Sequence, residues 1–159
     1  MNNTWKKIDF IKFSNCIECL EDLKKNKFKT SPWIDNIIKK YNYKFDSSNL
    51  PIKLVKKKVS DFGFSGPVEL QEIYKTIIEK GYKLVPPEIA IYSRFLYLEQ
   101  KNGEWLRFAT PLESMIDSDG VPHLPKIGKA LGLYFIETFW SYPKAIFHPH
   151  NEFIFIDRD

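Results

Sequence analysis

The spacing of the apolar residues changes near Lys101, and this change constrains the fold more than any single motif. Before this point, apolar residues recur at the spacing of amphipathic helices. After it, short aromatic and β-branched runs are separated by glycine, asparagine and proline, which is typical of antiparallel strands. We therefore expect a single α+β domain over residues 1–159, with N-terminal helices (about 1–100) packed on a C-terminal antiparallel β-meander (about 101–159).

Several segments of the N-terminal part have helical patterns. Ser31 is a suitable N-cap for a helix that starts at Pro32, because its hydroxyl can accept a backbone hydrogen bond and proline fits the first turn. Gly81 is a suitable terminating residue for the helix that follows Pro67. The predicted helices cover residues 10–25, 32–41, 67–81 and 87–98.

The predicted strands lie mainly in the C-terminal part. They cover residues 104–109, 131–140 and 152–157, with a weaker candidate at 122–127. The segment IKLVKKKV, residues 52–59, also has the alternation and the β-branched residues of a strand. Its three successive lysines favour a position at the exposed edge of a sheet.

Charge is unevenly distributed along the chain. Residues 1–60 contain 14 lysines and 6 acidic residues, a net charge of +8, whereas the remainder has a net charge of −4. A basic half could bind nucleic acid, with Lys56, Lys57 and Lys58 as candidate phosphate contacts. Arginine, which phosphate and base recognition favour, is confined to the acidic half. Nucleic-acid binding through the lysine-rich N-terminal half is therefore an alternative function.

The order of two helices and a hairpin within residues 67–109 matches a winged helix-turn-helix, in which 87–98 would be the recognition helix. Arg94 is the only cation in that segment. Because a major-groove reader needs several donors, DNA binding through this helix is disfavoured.

Cys16 and Cys19 form a CxxC motif whose context argues against redox or zinc chemistry. Two cysteines are too few for the disulfide framework of a small secreted domain, and no histidine lies nearby in sequence to complete a zinc site. The neighbouring acids Glu18 and Glu21 disfavour a thiolate. We expect two thiols that pack inside a helical core.

The segment DSDGVPH, residues 117–123, permits two interpretations. Asp and Gly in this pattern stabilise a tight turn, and this is the interpretation that we favour. A calcium loop is disfavoured because Lys126 stands where the bidentate glutamate should be. The alternative is a metal-dependent hydrolase that combines this loop with the segment around the other two histidines. Its candidate metal ligands are Asp119, His123, His148 and His150.

Large aromatic residues are concentrated near the C-terminus, and most of them are expected in the core. Trp140 and Tyr142 stand where a predicted strand gives way to a Ser-Tyr-Pro turn. In that position they would form an exposed contact patch, so they are the candidate binding residues for a protein partner.

No apolar run approaches the roughly twenty residues that a membrane helix needs, and the N-terminus lacks the apolar core of a secretory signal. We therefore expect a cytoplasmic protein without a membrane partner. There is no glycine-rich nucleotide-binding motif and no GxSxG nucleophile motif, so we expect no cofactor. Whether the protein is an enzyme stays open, with a non-enzymatic role favoured.

Several short motifs resemble those of a group of small bacterial proteins of uncharacterised activity. The motifs are FGF, PPEIA, RFLYL, GEWL and DSDG, at residues 62–64, 86–90, 94–98, 103–106 and 117–120. The resemblance implies a bacterial or phage protein of the cytosol, and it assigns no catalytic or binding role. The leading hypothesis from the sequence is a binding module for a protein partner, which acts through the aromatic C-terminal sheet or the basic N-terminal helices.

Overall fold

A computed structural model describes residues 4–158 of the chain. Within them the chain forms a mostly antiparallel seven-stranded sheet, a two-stranded ribbon and four α-helices. The predicted α+β class is confirmed. No helix in the described part of the chain is long and apolar enough to cross a membrane.

The elements are named here in chain order. The strands are β1 (Thr4–Ile8), β2 (Lys29–Thr30), β3 (Ile52–Lys58), β4 (Val68–Glu69), β5 (Trp105–Phe108), β6 (His123–Ala130), β7 (Leu133–Trp140), β8 (Ile146–Phe147) and β9 (Glu152–Ile156). The helices are α1 (Cys16–Lys25), α2 (Pro32–Tyr41), α3 (Leu70–Glu79) and α4 (Pro87–Tyr92), and a 3-10 turn (Ser93–Leu96) follows α4.

The large sheet has the strand order β1-β3-β9-β5-β6-β7-β2, and β4 pairs with β8 in the ribbon. In the large sheet two pairings are parallel: β2 with β7, and β5 with β9. The predicted succession of helices and then a meander holds only in part, because β1, β2 and β3 come from the first 60 residues and join the same sheet. The prediction of an exposed edge for the lysine-rich strand is wrong, since β3 lies between β1 and β9.

The helix ends follow the sequence signals closely where those signals were specific. The hydroxyl of Ser31 accepts a hydrogen bond from the Ile34 amide, and Pro32 occupies the first turn of α2. Gly81 has φ +87°, the left-handed conformation that glycine adopts at little cost. Helix α3 begins at Leu70 rather than at Pro67, because the intervening residues pair with β8.

The two faces of the large sheet are covered differently. On one face, Trp33 of α2 stacks on His123 of β6, and helix α4 also contacts β6. On the other face, β8 covers β9 through the ring contact between Phe147 and Phe153. On that second face Leu124 of β6 is buried, whereas Trp105 and Arg107 of β5, Lys126 of β6, and Phe135 and Glu137 of β7 stay partly exposed.

Cys16 and Cys19 lie in the apolar core as free thiols. Burial raises the pKa of the Cys19 thiol to about 12 and raises the pKa of Cys16 further. Such thiols are neutral at physiological pH, which agrees with the packing role predicted for them.

Candidate functional site

The segment of residues 117–120 forms a turn that is fixed by the carboxylate of Asp117. One oxygen, Oδ1, accepts hydrogen bonds from the backbone amides of Asp119 at 2.8 Å and Val121 at 3.0 Å. The Gly120 amide donates to the Asp117 carbonyl, and Gly120 has φ +81°. The turn chemistry favoured from the sequence is therefore what the backbone adopts.

The second oxygen of Asp117, Oδ2, lies 2.8 Å from Nε2 of His123, and Nδ1 of the same ring lies 2.8 Å from Oγ1 of Thr138. With Asp117 ionised and the ring neutral, Nε2–H donates to the carboxylate and Nδ1 accepts from the hydroxyl. Burial works to raise the pKa of Asp117. The hydrogen bonds from His123, Val121 and Asp119 outweigh burial and hold that pKa below its ordinary value.

The order hydroxyl, imidazole, carboxylate is the order found in activated nucleophiles. His123 and Asp117 are each only 2% exposed, and Trp33 stacks over the imidazole at a ring distance of 5.5 Å. The imidazole and the carboxylate are thus enclosed by the protein, and the arrangement fits a structural lock.

Helix α2 is fastened to the same turn by polar side chains. Lys40 Nζ donates to the backbone carbonyls of Ile116 and Asp117, and the Asn36 amide oxygen accepts from the Ser118 amide. The turn thus connects a helix to two strands. The turn fixes the position of the chain on either side of it, and the loop after β5, which leads into the turn, forms part of the wall of a cleft.

The predicted metal ligands are not brought together. His148 and His150 stack on each other at 5.9 Å in the exposed loop before β9, whereas His123 is buried at the start of β6. Asp119 is exposed on the turn and contributes its backbone amide, not its carboxylate, to Asp117. Among residues 4–158 no group of three or more His, Cys, Asp or Glu side chains is arranged to hold a metal ion.

A cavity of about 670 Å³, which we call the apolar cleft, lies beside this turn. Its wall joins α3, the loop after β5, the 117–120 turn and the loop after β7. The lining residues are Tyr74, Leu84, Pro111, Leu112, Glu113, Ile116, Gly120, Pro122, Ser141, Tyr142 and Pro143. Three prolines in one wall remove three backbone donors.

The carbonyl groups of those prolines are already used inside the fold. Pro111 accepts from Ser114, Pro122 accepts from the Ser141 amide, and Pro143 accepts from the Gln71 amide. The Ser141 hydroxyl in turn donates to the Leu112 carbonyl at 2.9 Å. The wall of the cleft therefore offers an entering group few hydrogen bonds, and it favours apolar groups.

We call the predicted aromatic pair the rim, because Tyr142 lines the cleft and Trp140 precedes the lining residue Ser141 in the chain. Trp140 is 59% exposed and Tyr142 is 46% exposed, and Ile146, at the end of the same loop, is 50% exposed. Exposed large apolar side chains that lie close together in the sequence are candidates for an interaction site. The residues chosen from the sequence, Trp140 and Tyr142, are thus accessible, and Tyr142 also lines the cleft.

The three predicted lysine contacts do not form a continuous basic surface. Lys56 lies 3.7 Å from Glu104 and 3.9 Å from Glu152, so its charge is balanced by two carboxylates. Lys57 and Lys58 follow on β3, where neighbouring side chains point to opposite faces of the sheet. A ligand on one face therefore cannot contact all three.

The winged-helix interpretation fails at its proposed recognition helix. Helix α4 ends at Tyr92, and Arg94 lies fully buried in the following turn. Its guanidinium donates to the carbonyls of Gly128, Phe135 and Tyr97 at 2.7–3.0 Å. Burial lowers its pKa to about 10. A side chain used in this way is unable to read a base.

No protein-family model matches this chain, and no curated protein or solved structure matches it. The resemblance to small bacterial proteins therefore stays a prediction.

Proposed function

We propose that the protein is a cytoplasmic, non-enzymatic binding module that accepts an apolar side chain of a protein partner in the apolar cleft. Trp140 and Tyr142 contact the residues of the partner that flank this anchor. The observation that carries the proposal is the combination of a wall whose proline carbonyls are already hydrogen-bonded inside the fold and an exposed aromatic rim.

The chemistry of the wall supports an apolar occupant over a polar one. A polar ligand would lose its hydrogen bonds to water and find few replacements, which costs free energy. An aliphatic or aromatic side chain gains about 1.5–3 kcal/mol from burial and needs no polar partner. A cavity of about 670 Å³ has room for one large anchor and part of its neighbours.

The rim supports a protein partner over a free small molecule. Tryptophan and tyrosine are enriched among the residues that dominate protein interfaces, because they bury a large area at a low cost in side-chain entropy. The Asp117 turn forms one wall of the cleft and is rigidly hydrogen-bonded, so the cleft is formed before the partner arrives. Preorganisation of this kind reduces the entropic cost of binding.

Selection of random peptides displayed on phage, with the whole protein as the target, tests the proposal. We expect the selected peptides to share an apolar anchor residue, and the resynthesised peptides to bind in isothermal titration. Tyr142→Ala and Trp140→Ala should weaken that binding by roughly tenfold or more. Ile78→Ala is the matched control, because Ile78 on α3 is similarly exposed at 53% and lies outside the cleft lining.

Two results would contradict the proposal. One is a set of selected peptides without a shared apolar position. The other is binding that Tyr142→Ala and Ile78→Ala weaken to the same extent, which would indicate general surface stickiness.

A further inference from the structure

The partly exposed part of the second sheet face has an ordered arrangement of side chains. Register places Arg107 opposite Lys126, and Lys126 opposite Glu137, which makes one row across three strands. The adjacent row contains Trp105, Gly128 and Phe135 in the same way. We call these two rows the open face. Their side chains, apart from the glycine that the indole covers, are half-buried.

The aromatic row depends on the glycine at its centre. A Cβ atom built on Gly128 would lie only 2.3 Å from Cε3 of Trp105, so the indole rests directly on the backbone of β6. The rings of Trp105 and Phe135 are 6.2 Å apart across this glycine. The two ring planes are inclined by 41°, so a flat ligand could stack on the indole and touch the Phe135 ring beside it.

The charged row next to the aromatic row has an excess of positive charge. Burial lowers the pKa of Arg107, and no acceptor within residues 4–158 reaches its buried Nε. Burial also lowers the pKa of Lys126, Glu137 works to raise it, and the charge of Arg107 works to lower it further. Two cations therefore face each other with Glu137 as the neighbouring carboxylate of the row. An anion placed between them would relieve the repulsion.

We infer that the open face binds single-stranded nucleic acid, with a base stacked on Trp105 and touching Phe135, and the adjoining phosphates paired with Arg107 and Lys126. Lys126 Nζ now lies 4.8 Å from the centre of the Trp105 ring. An incoming base would take this position over the indole and leave the ammonium group free to meet the phosphate. Stacking platforms beside cations are the usual means by which single strands bind without base-specific hydrogen bonds.

The open face favours a nucleic acid over an acidic peptide because a nucleotide can contact both rows at once. A carboxylate would engage the charged row but would leave the indole face without a partner. A nucleotide carries a flat ring and an anion joined by a short linker, and the two rows lie side by side on alternate residues of the same strands. This site is separate from the apolar cleft and from the three lysines of β3 discussed above.

Fluorescence anisotropy with fluorescein-labelled oligo(dT) and oligo(rU) tests the inference on the full chain. We expect binding at low salt, with a slope of log K against log salt of about −1.4 for two neutralised phosphates on a single strand. Quenching of tryptophan emission should accompany binding. Trp105→Leu, which keeps apolar bulk but removes the flat ring, should weaken binding roughly tenfold to a hundredfold.

Arg107→Gln and Lys126→Gln should each make the salt slope less steep by about 0.7. Lys75→Gln on α3 is the matched control for net charge, because Lys75 is exposed and lies outside the open face. Thermal melting of each variant verifies that it is folded. Because Lys126 is half-exposed, its variant provides a test even where Trp105→Leu fails to fold.

Three outcomes would overturn the inference. The first is the absence of oligonucleotide binding at low salt. The second is an equal loss with Lys75→Gln, which would indicate diffuse attraction. The third is full competition by polyglutamate together with insensitivity to Trp105→Leu, which would assign the face to acidic peptides. Trp140→Ala should leave oligonucleotide binding unchanged and Trp105→Leu should leave peptide binding at the cleft unchanged, so this inference and the proposed function can fail separately.

Discussion

Histidine has two different structural roles in this protein, one in the segment that ends at His123 and one in the loop that carries His148 and His150. His123 is 2% exposed and is held between Asp117 and Thr138 at 2.8 Å on each side. His148 and His150 lie exposed in the loop before β9 and stack on each other. Both loops precede a strand and both looked like metal or acid–base candidates in sequence. What separates them is the register of β6 and β7, which places the half-buried Thr138 beside His123.

Between the two histidine segments, the largest effect on stability is expected from removal of the buried His123 ring. His123→Ala leaves the Asp117 carboxylate buried without its main side-chain partner, and we expect the melting temperature to fall by the order of 10 °C. His148→Ala is the matched control and should change it by less than about 2 °C. Scanning calorimetry measures both. Equal effects would remove the distinction between the two loops.

A smaller effect is expected at the other end of the hydrogen-bond chain. Thr138→Val keeps the shape of the side chain but removes the hydroxyl that lies 2.8 Å from His123 Nδ1. We expect a loss of about 1 kcal/mol, which urea titration would measure. Thr76→Val, where the hydroxyl bonds only to its own helix, is the control. A neutral result at Thr138 would mean that the ring is fixed by Asp117 and Trp33 alone.

Acid should destabilise the wild type more than a variant that lacks the Asp117 carboxylate. Because the folded-state pKa of Asp117 is held below its unfolded value of about 4, its ionised form favours the folded state. That contribution is complete above the unfolded pKa and is lost as pH falls through the folded pKa. We expect the wild type to lose more stability below about pH 4 than Asp117→Asn does. Asp119→Asn should behave as the wild type; denaturant unfolding at several pH values gives the answer, and parallel curves for all three proteins would contradict it.

The smallest expected effect concerns metal ions. Since the candidate ligands are not assembled, added Zn²⁺ should raise the melting temperature by less than about 1 °C. A rise of several degrees that His148→Ala abolishes would revive the hydrolase hypothesis. Chelator treatment should likewise leave the melting curve unchanged.

Local sequence signals predicted the helices and most long strands, because those signals act over a few residues. The cap at Ser31 and the alternation of β3 are examples. β1 and β2 were missed because β1 is short and rich in lysine and β2 has only two residues, so neither has a clear alternating pattern. Their pairing is imposed by partners distant in sequence.

The contacts between residues of the candidate site were harder to predict from the sequence than the residues themselves. Trp140 and Tyr142 were found from the end of a strand and a turn motif, whereas Thr138 was missed. A signal existed, since the short turn at Leu131 and Gly132 sets the register that brings Thr138 beside His123. The lining of the cleft could not be predicted, because it joins loops that only the complete sheet brings together.

The position of β9 has a consequence for how the protein is made. This strand is the last of the described chain, yet it lies in the interior of the sheet, between β3 and β5. While β9 is still inside the ribosome, the two parts of the sheet that it joins, β1 with β3 and β5 with β6, β7 and β2, each have an unpaired inner edge. Such edges attract other strands, so synthesis passes through an aggregation-prone stage that ends only when β9 inserts between them.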